Sequence, residues 1–299
     1  MWDPALYRTF ASDRSRPFID LVARIGADDP GYVVDLGCGS GELTAILASR
    51  WPTAEIHGID SSAEMIEAAG RTLTSARADG DGAAARTGTA TRTGTAAPTG
   101  TAAPTGTAAR TGTAAPTGTG RLRFALGDVR TWQPDRMPDV IVSNAVLQWV
   151  PGHLELLTRW ARTLPTGGWL AFQVPANIDQ PAYRLLRELI GSARWSARLA
   201  DVDLNLQSAD PAQYLDLLTR ADCDVDAWES TYLHVLQGPD PVVQWYRSTG
   251  LRPVLAALDA PAAGHFLVEY AALLREAYPA TSYGTVFPFR RVFVVASRR

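Results

Sequence analysis

Hydrophobic and polar positions follow two different spacings along the chain, and the two spacings alternate. Short apolar runs predict buried strands, and they occur at residues 32–37, 54–60, 122–128, 139–145 and 168–175. Apolar positions at helical spacing predict helices between them, at residues 41–51, 61–73 and 153–164. Ser61 followed three residues later by Glu64 matches a capping box at the second of these helices. The alternation predicts an α/β fold, in which helices cover both faces of a parallel sheet.

The last third of the chain has a different pattern. Residues 210–221 predict a helix, and residues 225–236 and 290–297 predict two more strands. Residues 238–286, between those strands, are mostly helical in pattern and far exceed a normal connection in length. We therefore expect residues 181–222 and 238–286 to form a helical cap or substrate region beside the site, within a single domain that spans residues 1–299.

Residues 75–120 contain no large apolar side chain, and the hexapeptide TGTAAP recurs within them. Without apolar surface to bury, such a segment cannot offset the chain entropy that folding removes. The composition predicts a disordered low-complexity insert in a folded domain. A solvated spacer is the favoured interpretation, and a binding segment is the alternative.

Composition excludes several classes of protein. A net charge of −3 is too small for a strongly nucleic-acid-seeking or membrane-surface protein, and no apolar run is long enough to cross a bilayer. The absence of lysine excludes Schiff-base enzymes and Walker A loops. Two cysteines cannot form a disulfide framework, and the scattered histidines lack the spacing of a zinc site. We expect a cytoplasmic protein without a signal peptide, a metal or an obligate protein partner.

A glycine-rich loop in VVDLGCGSGELT follows the first predicted strand. Its spacing is Gly37-x-Gly39-x-Gly41, and Glu42 stands where a dinucleotide fingerprint requires the third glycine. Asp35 adds a further negative charge close to the loop. An acidic rim at a helix N-terminus disfavours a pyrophosphate and suits a cationic ligand. S-adenosylmethionine has that profile, because it carries a sulfonium and an ammonium group.

Polar residues also follow the next strands, at the edge where open α/β sheets bind their ligands. Asp60, next to Ser61, can accept hydrogen bonds from both ribose hydroxyls, and Asp128 can accept from the adenine amino group, with Val129 against the ring. Asn144 follows the fourth strand, near the expected position of the methyl group. The alternative interpretation is that the glycines form only a tight turn and that the aspartates only cap helices.

The motifs VVDLGCGSGELT, GIDSS, GDVRTW and IVSNAVLQWV resemble the successive motifs of class I S-adenosylmethionine-dependent methyltransferases. The resemblance implies a Rossmann-like fold with a seven-stranded, mostly parallel sheet whose last strand is antiparallel. It covers almost the whole chain apart from residues 75–120. The repeat there departs from the family pattern but touches neither the glycine loop nor the strand-end acids.

More narrowly, the segments SNAVLQWVPGH, STGLRPVL and FPFRRVFVVA resemble the members of this family that methylate trans-aconitate, as does the N-terminal stretch WDPALYRTFASDRSRPFIDLVARI. This resemblance implies transfer of a methyl group to one carboxylate of trans-aconitate or a related small polycarboxylate. The products would be a monomethyl ester and S-adenosylhomocysteine.

A carboxylate acceptor needs no general base, because its ordinary pKa of ~4 leaves it ionised at neutral pH. Catalysis can then rest on alignment alone, and no residue is assigned a catalytic role. A polycarboxylate does require cations, and arginine binds carboxylates bidentately. The candidate substrate-binding residues are Arg16, Trp149, Tyr232, His234, Arg252, Arg290 and Arg291. The alternative for any single arginine is a solvated surface charge, and the alternative for Trp149 is a core position.

Other functions stay open at this point. A methyltransferase that acts on nucleic-acid bases is disfavoured, because SNAV replaces the Asn/Asp-Pro-Pro-aromatic run after the fourth strand. A different small carboxylic acid is compatible with every motif. A nicotinamide-dependent oxidoreductase fits Asp60 but not Glu42. A cofactor-binding protein that uses the repeat as an interaction arm is the non-enzymatic alternative.

Overall fold

The computed structural model describes residues 11–71 and 121–299, except for residues 205 and 248, and it describes side chains from residue 15 onward. The predicted insert at 75–120 lies outside the described residues, so its disorder stays a prediction. Within the described ranges, no helix combines the length and the hydropathy that a membrane span needs.

The strands fall close to the predicted runs. They are β1 (Tyr32–Leu36), β2 (Glu55–Asp60), β3 (Leu122–Leu126), β4 (Val140–Asn144), β5 (Trp169–Pro175), β6 (Cys223–Leu236), β7 (Ala280–Thr281) and β8 (Gly284–Arg298). The helices are α1 (Ala11–Val22), α2 (Thr44–Arg50), α3 (63–71 as far as it is described), α4 (His153–Arg162), α5 (Pro181–Ile190), α6 (Pro211–Thr219), α7 (Pro241–Arg247), α8 (Arg252–Ala257) and α9 (Ala260–Ala277). A short 3₁₀ helix covers Leu147–Trp149.

All of these strands join one sheet in the order β3-β2-β1-β4-β5-β8-β6, with the two-residue β7 paired to β8. β1 to β5 pair in parallel, whereas β8 lies antiparallel between β5 and β6. The predicted Rossmann-like fold with an antiparallel last strand is therefore confirmed. The direction of strand order reverses at β1 and β4, which is where such sheets bind ligands beyond their carboxyl ends.

Two apolar layers enclose the sheet because successive strand residues point to opposite faces. On one face, Phe18 and Leu21 of α1 pack with Val33, Val142 and Phe293. On the other face, Trp160 of α4 and Tyr214 of α6 pack with residues such as Phe172 and Val294. Helix α1 consequently covers the face to which the odd-numbered residues of β5 and β8 point.

A second apolar cluster belongs to the cap. Trp195, Trp245, Phe266 and Tyr270 are fully or almost fully buried there, and they pack with Phe287 of β8. Helix α6, by contrast, buries its side chains in the sheet core. The predicted cap segment 181–222 is therefore too wide, because the apolar face of α6 covers the sheet. The rest of the cap assignment stays a prediction.

Strand β8 begins at Gly284, six residues before the predicted start at Arg290. The longer strand includes Pro288, although proline lacks the N–H that an inner strand needs. The proline is tolerated because β5 ends at Pro175, opposite Arg291, so that Pro288 lies past the end of that neighbour. The longer β8 pairs with β6 as far as Leu236 opposite Thr285 and carries Phe287 into the cap cluster.

Candidate functional site

The glycine loop joins β1 to α2 in a left-handed backbone conformation. Gly37 has φ 83° and Gly41 has φ 76°. A Cβ at Gly37 would lie 2.1 Å from a methyl group of Val146, and one at Gly41 would lie 2.5 Å from the Phe124 ring. Gly39 has φ 56°, but a Cβ there would meet nothing within 4 Å. Packing therefore requires glycine at positions 37 and 41. Gly39 lies next to open space, which suits a backbone segment that faces a ligand.

Asp60 at the end of β2 holds this loop in place. Its Oδ2 accepts a hydrogen bond from Gly39 N at 2.9 Å, and its Oδ1 accepts one from Ser62 N at 2.9 Å. Ser62 Oγ then accepts a hydrogen bond from Met65 N. The predicted capping box at Ser61 is therefore wrong by one residue, because β2 continues through Asp60 and α3 starts at 63. Ser61 itself is exposed.

Asp35 lies in β1, next to its end, and is almost completely buried. Its Oδ2 accepts a hydrogen bond from the Thr44 hydroxyl at 2.6 Å. Burial raises the pKa of Asp35 to about 7, the Thr44 hydrogen bond opposes that rise, and the Asp60 carboxylate adds to it. Burial, followed by the charges of Asp35 and Asp60, raises the pKa of the Cys38 thiol, which fits a buried spacer in the loop.

Asp128 follows β3 and pairs with Arg130. The guanidinium donates to both carboxylate oxygens, and this hydrogen bonding holds the pKa of Asp128 below its ordinary value. Val129 is buried in the sheet core with only 7% of its surface exposed. The two residues predicted to bind adenine thus lie at the expected strand end, with the acid engaged by a neighbouring arginine.

Three polar side chains form a row across β4, β5 and β8, on the face that α1 covers. Asn144 pairs in register with Gln173, and Pro175 pairs with Arg291. Gln173 and Arg291 are 0% and 4% exposed, respectively. Arg291 Nη1 donates to Gln173 Oε1, and the Arg291 guanidinium lies 4.6 Å from the centre of the Phe289 ring. We call Asn144, Gln173 and Arg291 the polar row.

Aromatic residues of β6 extend this surface towards the cap. The Tyr232 hydroxyl donates to Asp20 Oδ2 of α1 at 2.6 Å, and the Arg16 guanidinium lies 5.3 Å from the Tyr232 ring centre. Burial, followed by the Asp20 carboxylate, raises the pKa of Tyr232, while the charges of Arg291 and Arg16 oppose the rise. His234 is buried and stacks on Trp245 of the cap, with ring centres 4.8 Å apart.

Comparison with known proteins assigns this arrangement to a family. A family model described as a methyltransferase domain matches residues 10–227. The chain belongs to this methyltransferase family. It is 48% identical over 300 residues to the trans-aconitate 2-methyltransferase of Streptomyces avermitilis, with 99% of this chain and 97% of that protein covered. It is 44% identical over 300 residues to the trans-aconitate 2-methyltransferase of Rhodococcus jostii, with 99% of both chains covered.

Among solved structures, the YcgJ protein of Bacillus subtilis matches with a TM-score of 0.53 at 13% identity, covering 95% of this chain and 98% of that chain. At this identity, the likeness shows the fold alone. The predicted methyltransferase class is confirmed by the family match, which favours it over the nicotinamide-dependent alternative.

The methyltransferase does not bring all predicted substrate residues to the polar row. Arg290, adjacent to Arg291, points to the other face and pairs with Glu229. Arg252 is exposed at the start of α8 in the cap. Trp149 is 48% exposed, so the alternative core interpretation of this residue is wrong. The neighbouring Gln148 is buried instead, and its amide donates to Ala145 O at 2.7 Å.

Three buried polar residues of the methyltransferase were missed by sequence reasoning. Thr44 supports Asp35, Gln173 supports Arg291, and Asn177 Oδ1 accepts from Arg290 N at 2.8 Å. A usable signal existed for Gln173, because it is a polar residue inside the apolar run GWLAFQVP. Thr44 lies three residues before Leu47 on the inner face of α2, so helical spacing also marked it as buried.

Proposed function

We propose that the chain is an S-adenosylmethionine-dependent O-methyltransferase that esterifies one carboxylate of trans-aconitate. The observation that carries this proposal is the buried Arg291, which lies at the carboxyl edge of the sheet on the same face as Asp35 and Asn144. A buried guanidinium on the same face and edge of the sheet as an acidic loop suits the transfer of a methyl group from a cationic donor to an anionic acceptor. The names of two full-length relatives supply the identity of the acid.

The loop side of the site fits the cofactor. S-adenosylmethionine, when bound, supplies a methyl group carried by a positively charged sulfur. Gly39 offers backbone next to open space, and each carboxylate oxygen of Asp60 can accept from a ribose hydroxyl in addition to the backbone amide that it already accepts from. Asn144 Oδ1 is buried without a hydrogen-bond partner among the described residues, which fits an acceptor directed at a positively charged ligand.

The remaining candidates complete the cofactor pocket. Asp35, Gly37 and Gly41 shape the loop, and the exposed Ser61 follows Asp60 at the end of β2. Asp128 accepts from the adenine amino group once its pairing with Arg130 gives way, and Val129 forms the floor beneath the ring. Exposed ion pairs of this kind contribute little stability, so a ligand can replace one at low cost.

The acceptor side of the site orients an anion that is already ionised. Arg291 binds one carboxylate, while Arg16 and the aromatic pair Tyr232 and His234 enclose the rest of the acid. Since no proton has to be removed, these residues act by fixing the acceptor and excluding water. Trp149, Arg252 and Arg290 are weaker candidates, because their side chains are exposed or engaged elsewhere.

The proposed setting of this reaction is the cytoplasm, with a small acid as the substrate and with no nucleic-acid, membrane or obligate protein partner. The net charge of −3 and two buried free cysteines support it.

A labelling experiment tests the proposed function directly. The protein is incubated with methyl-labelled S-adenosylmethionine and a panel of di- and tricarboxylates that includes trans-aconitate. Trans-aconitate with every carboxylate already esterified is the matched control. We expect a base-labile labelled ester from trans-aconitate and none from the control. Label that stays on the cofactor with every acid contradicts the proposed activity, and preference for another acid corrects the substrate alone.

A further inference from the structure

Gln173 is an unusual residue for its position in the sheet. It lies in the apolar strand β5, between Phe172 and Val174, and is 0% exposed. Burying an amide costs free energy unless its hydrogen-bonding groups find partners. Its Oε1 accepts from Arg291 Nη1, whereas its Nε2 has no partner among the described residues. A buried donor left over in this way is available to a ligand that supplies an acceptor.

The orientation of the Gln173 amide is fixed by its neighbour. Arginine is a donor only, so the side-chain oxygen of Gln173 has to face Arg291, and the NH₂ group has to point away from it. Gln173 also accepts the hydrogen bond without adding negative charge next to the guanidinium. The neighbouring strands β5 and β8 therefore present two adjacent donors, the Gln173 amide and the Arg291 guanidinium.

The polar row changes its hydrogen-bonding character from one strand to the next. Asn144 on β4 presents an unpartnered acceptor oxygen within the described part of the chain, and Gln173, directly opposite on β5, presents an unpartnered donor. Adjacent strands lie about 4.8 Å apart, so the change occurs within one strand spacing. An acceptor next to a donor suits a cationic group and an anionic group that meet at this point.

We propose that Gln173 is a specificity-determining residue that binds an acceptor carboxylate together with Arg291. Its Oε1 orients the guanidinium, and its Nε2 donates a second hydrogen bond to the same carboxylate. This inference rests on the proposed function and assigns the acceptor anchor to a residue pair on β5 and β8. A dedicated carboxylate clamp selects acids over neutral molecules of similar shape.

Two substitutions separate binding from a structural role. Gln173→Glu keeps an oxygen that accepts from Arg291, but it removes the N–H donor and adds a negative charge. Gln173→Leu removes both functions. We expect Gln173→Glu to raise the KM for trans-aconitate by about 10- to 100-fold, while its melting temperature and its Kd for S-adenosylmethionine stay near those of the wild type. Gln173→Leu is expected to raise the KM and also to lower the melting temperature.

Tyr214→Phe is the matched control for loss of a buried polar group. Tyr214 is fully buried on the opposite face of the sheet, where its hydroxyl bonds to His153 Nε2 at 2.8 Å. We expect this variant to lose stability without a change in KM. A merely structural role for Gln173 predicts that Gln173→Glu has the KM of the wild type, and that result overturns the inference.

The wild-type protein distinguishes failure of this inference from failure of the proposed function. If it transfers label to no acid, the proposed function fails, and the clamp is then tested by calorimetric titration of trans-aconitate into the cofactor-bound protein. Binding by the wild type that is weakened at least about tenfold in Gln173→Glu supports the clamp. Absence of binding by the wild type, or equal binding by both proteins, overturns it.

Discussion

The two sides of the candidate site differ in charge and in how the chain builds them. On the cofactor side, Asp35 and Asp60 lie within 26 residues of each other and act through one contiguous loop. On the acceptor side, Arg16, Tyr232 and Arg291 come from an N-terminal helix and two C-terminal strands. The cofactor side is therefore a local motif, whereas the acceptor side exists only once the sheet has formed.

Because of this difference, cofactor binding and acceptor binding depend on different structural features. A contiguous loop can persist while acceptors change, because its geometry depends on Gly37, Gly41 and the strands beside them. The acceptor side depends on the register of β5 with β8, which places Arg291 opposite Pro175. Substitutions should consequently divide into those that affect cofactor affinity and those that affect acceptor affinity.

The largest expected effect comes from Arg291→Met, which keeps the bulk of the buried side chain and removes the charge. We expect kcat/KM for trans-aconitate to fall by about 100-fold or more, because a buried charge contact with the acceptor is lost. The Kd for S-adenosylmethionine, measured by calorimetry, should stay unchanged. Arg290→Met is the neighbouring control, since that guanidinium pairs with Glu229 and should be nearly dispensable. Equal losses in the two variants would contradict the assignment of Arg291.

Asp60→Ala tests the cofactor side in the same way. We expect the Kd for S-adenosylmethionine to rise about 10- to 100-fold, since two charge-assisted hydrogen bonds to the ribose are lost. Asp29→Ala provides a control, because that exposed aspartate accepts from the Thr53 hydroxyl and, among the described residues, from no other side chain. The assignment of Asp60 to the cofactor side would be wrong if Asp60→Ala raised the KM for the acid while cofactor binding stayed at the wild-type value.

The raised pKa of Asp35, on the cofactor side, predicts that the stability of the protein depends on pH. Its folded-state pKa of about 7 is raised above the unfolded value, so its protonated form favours folding. This contribution is complete below about pH 4 and is lost as the pH rises towards and through 7. The melting temperature of Asp35→Asn minus that of the wild type, measured without cofactor, should therefore increase as the pH rises from 5 to 8. A constant difference across that range would show that Asp35 does not titrate there.

The smallest effect is expected from deleting residues 80–118. The chain leaves the described fold after residue 71 and returns at residue 121, next to β3 at the edge of the sheet opposite to the cap. Among the candidate site residues, Asp128 and Val129 follow that edge strand, and the others lie on other elements. We expect kcat/KM to stay within about twofold of the wild-type value, because loop closure depends only weakly on loop length. A large loss of activity would overturn the spacer interpretation.

The sequence was sufficient for the fold and for the residues at the strand ends. Strand and helix spacings are local signals, and Asp60, Asp128 and Asn144 follow directly from where the apolar runs end. The same local signals did not indicate which of Arg290 and Arg291 points to the face that carries the site. Adjacent strand residues point to opposite faces, and both faces of β8 are apolar, with Val292 and Phe293 equally buried.

Buried polar partners were the harder part to predict. The apolar positions around Thr44 and Gln173 indicate that both residues are buried, but they do not indicate which charged side chain each one supports. The cap boundary failed for a related reason. The apolar face of α6 predicts burial without indicating whether the sheet or the cap covers it.

Strand β8 has a consequence for engineering new acceptor ranges. The same strand contributes Phe287 and Phe289 to the cap cluster and Val292 and Val294 to the sheet core, with Arg291 between them. Repacking the cap through those phenylalanines would therefore displace the guanidinium as well. A change of acceptor range through β8 therefore has to keep the path of the strand, because cap packing and the position of the guanidinium are joined in one segment.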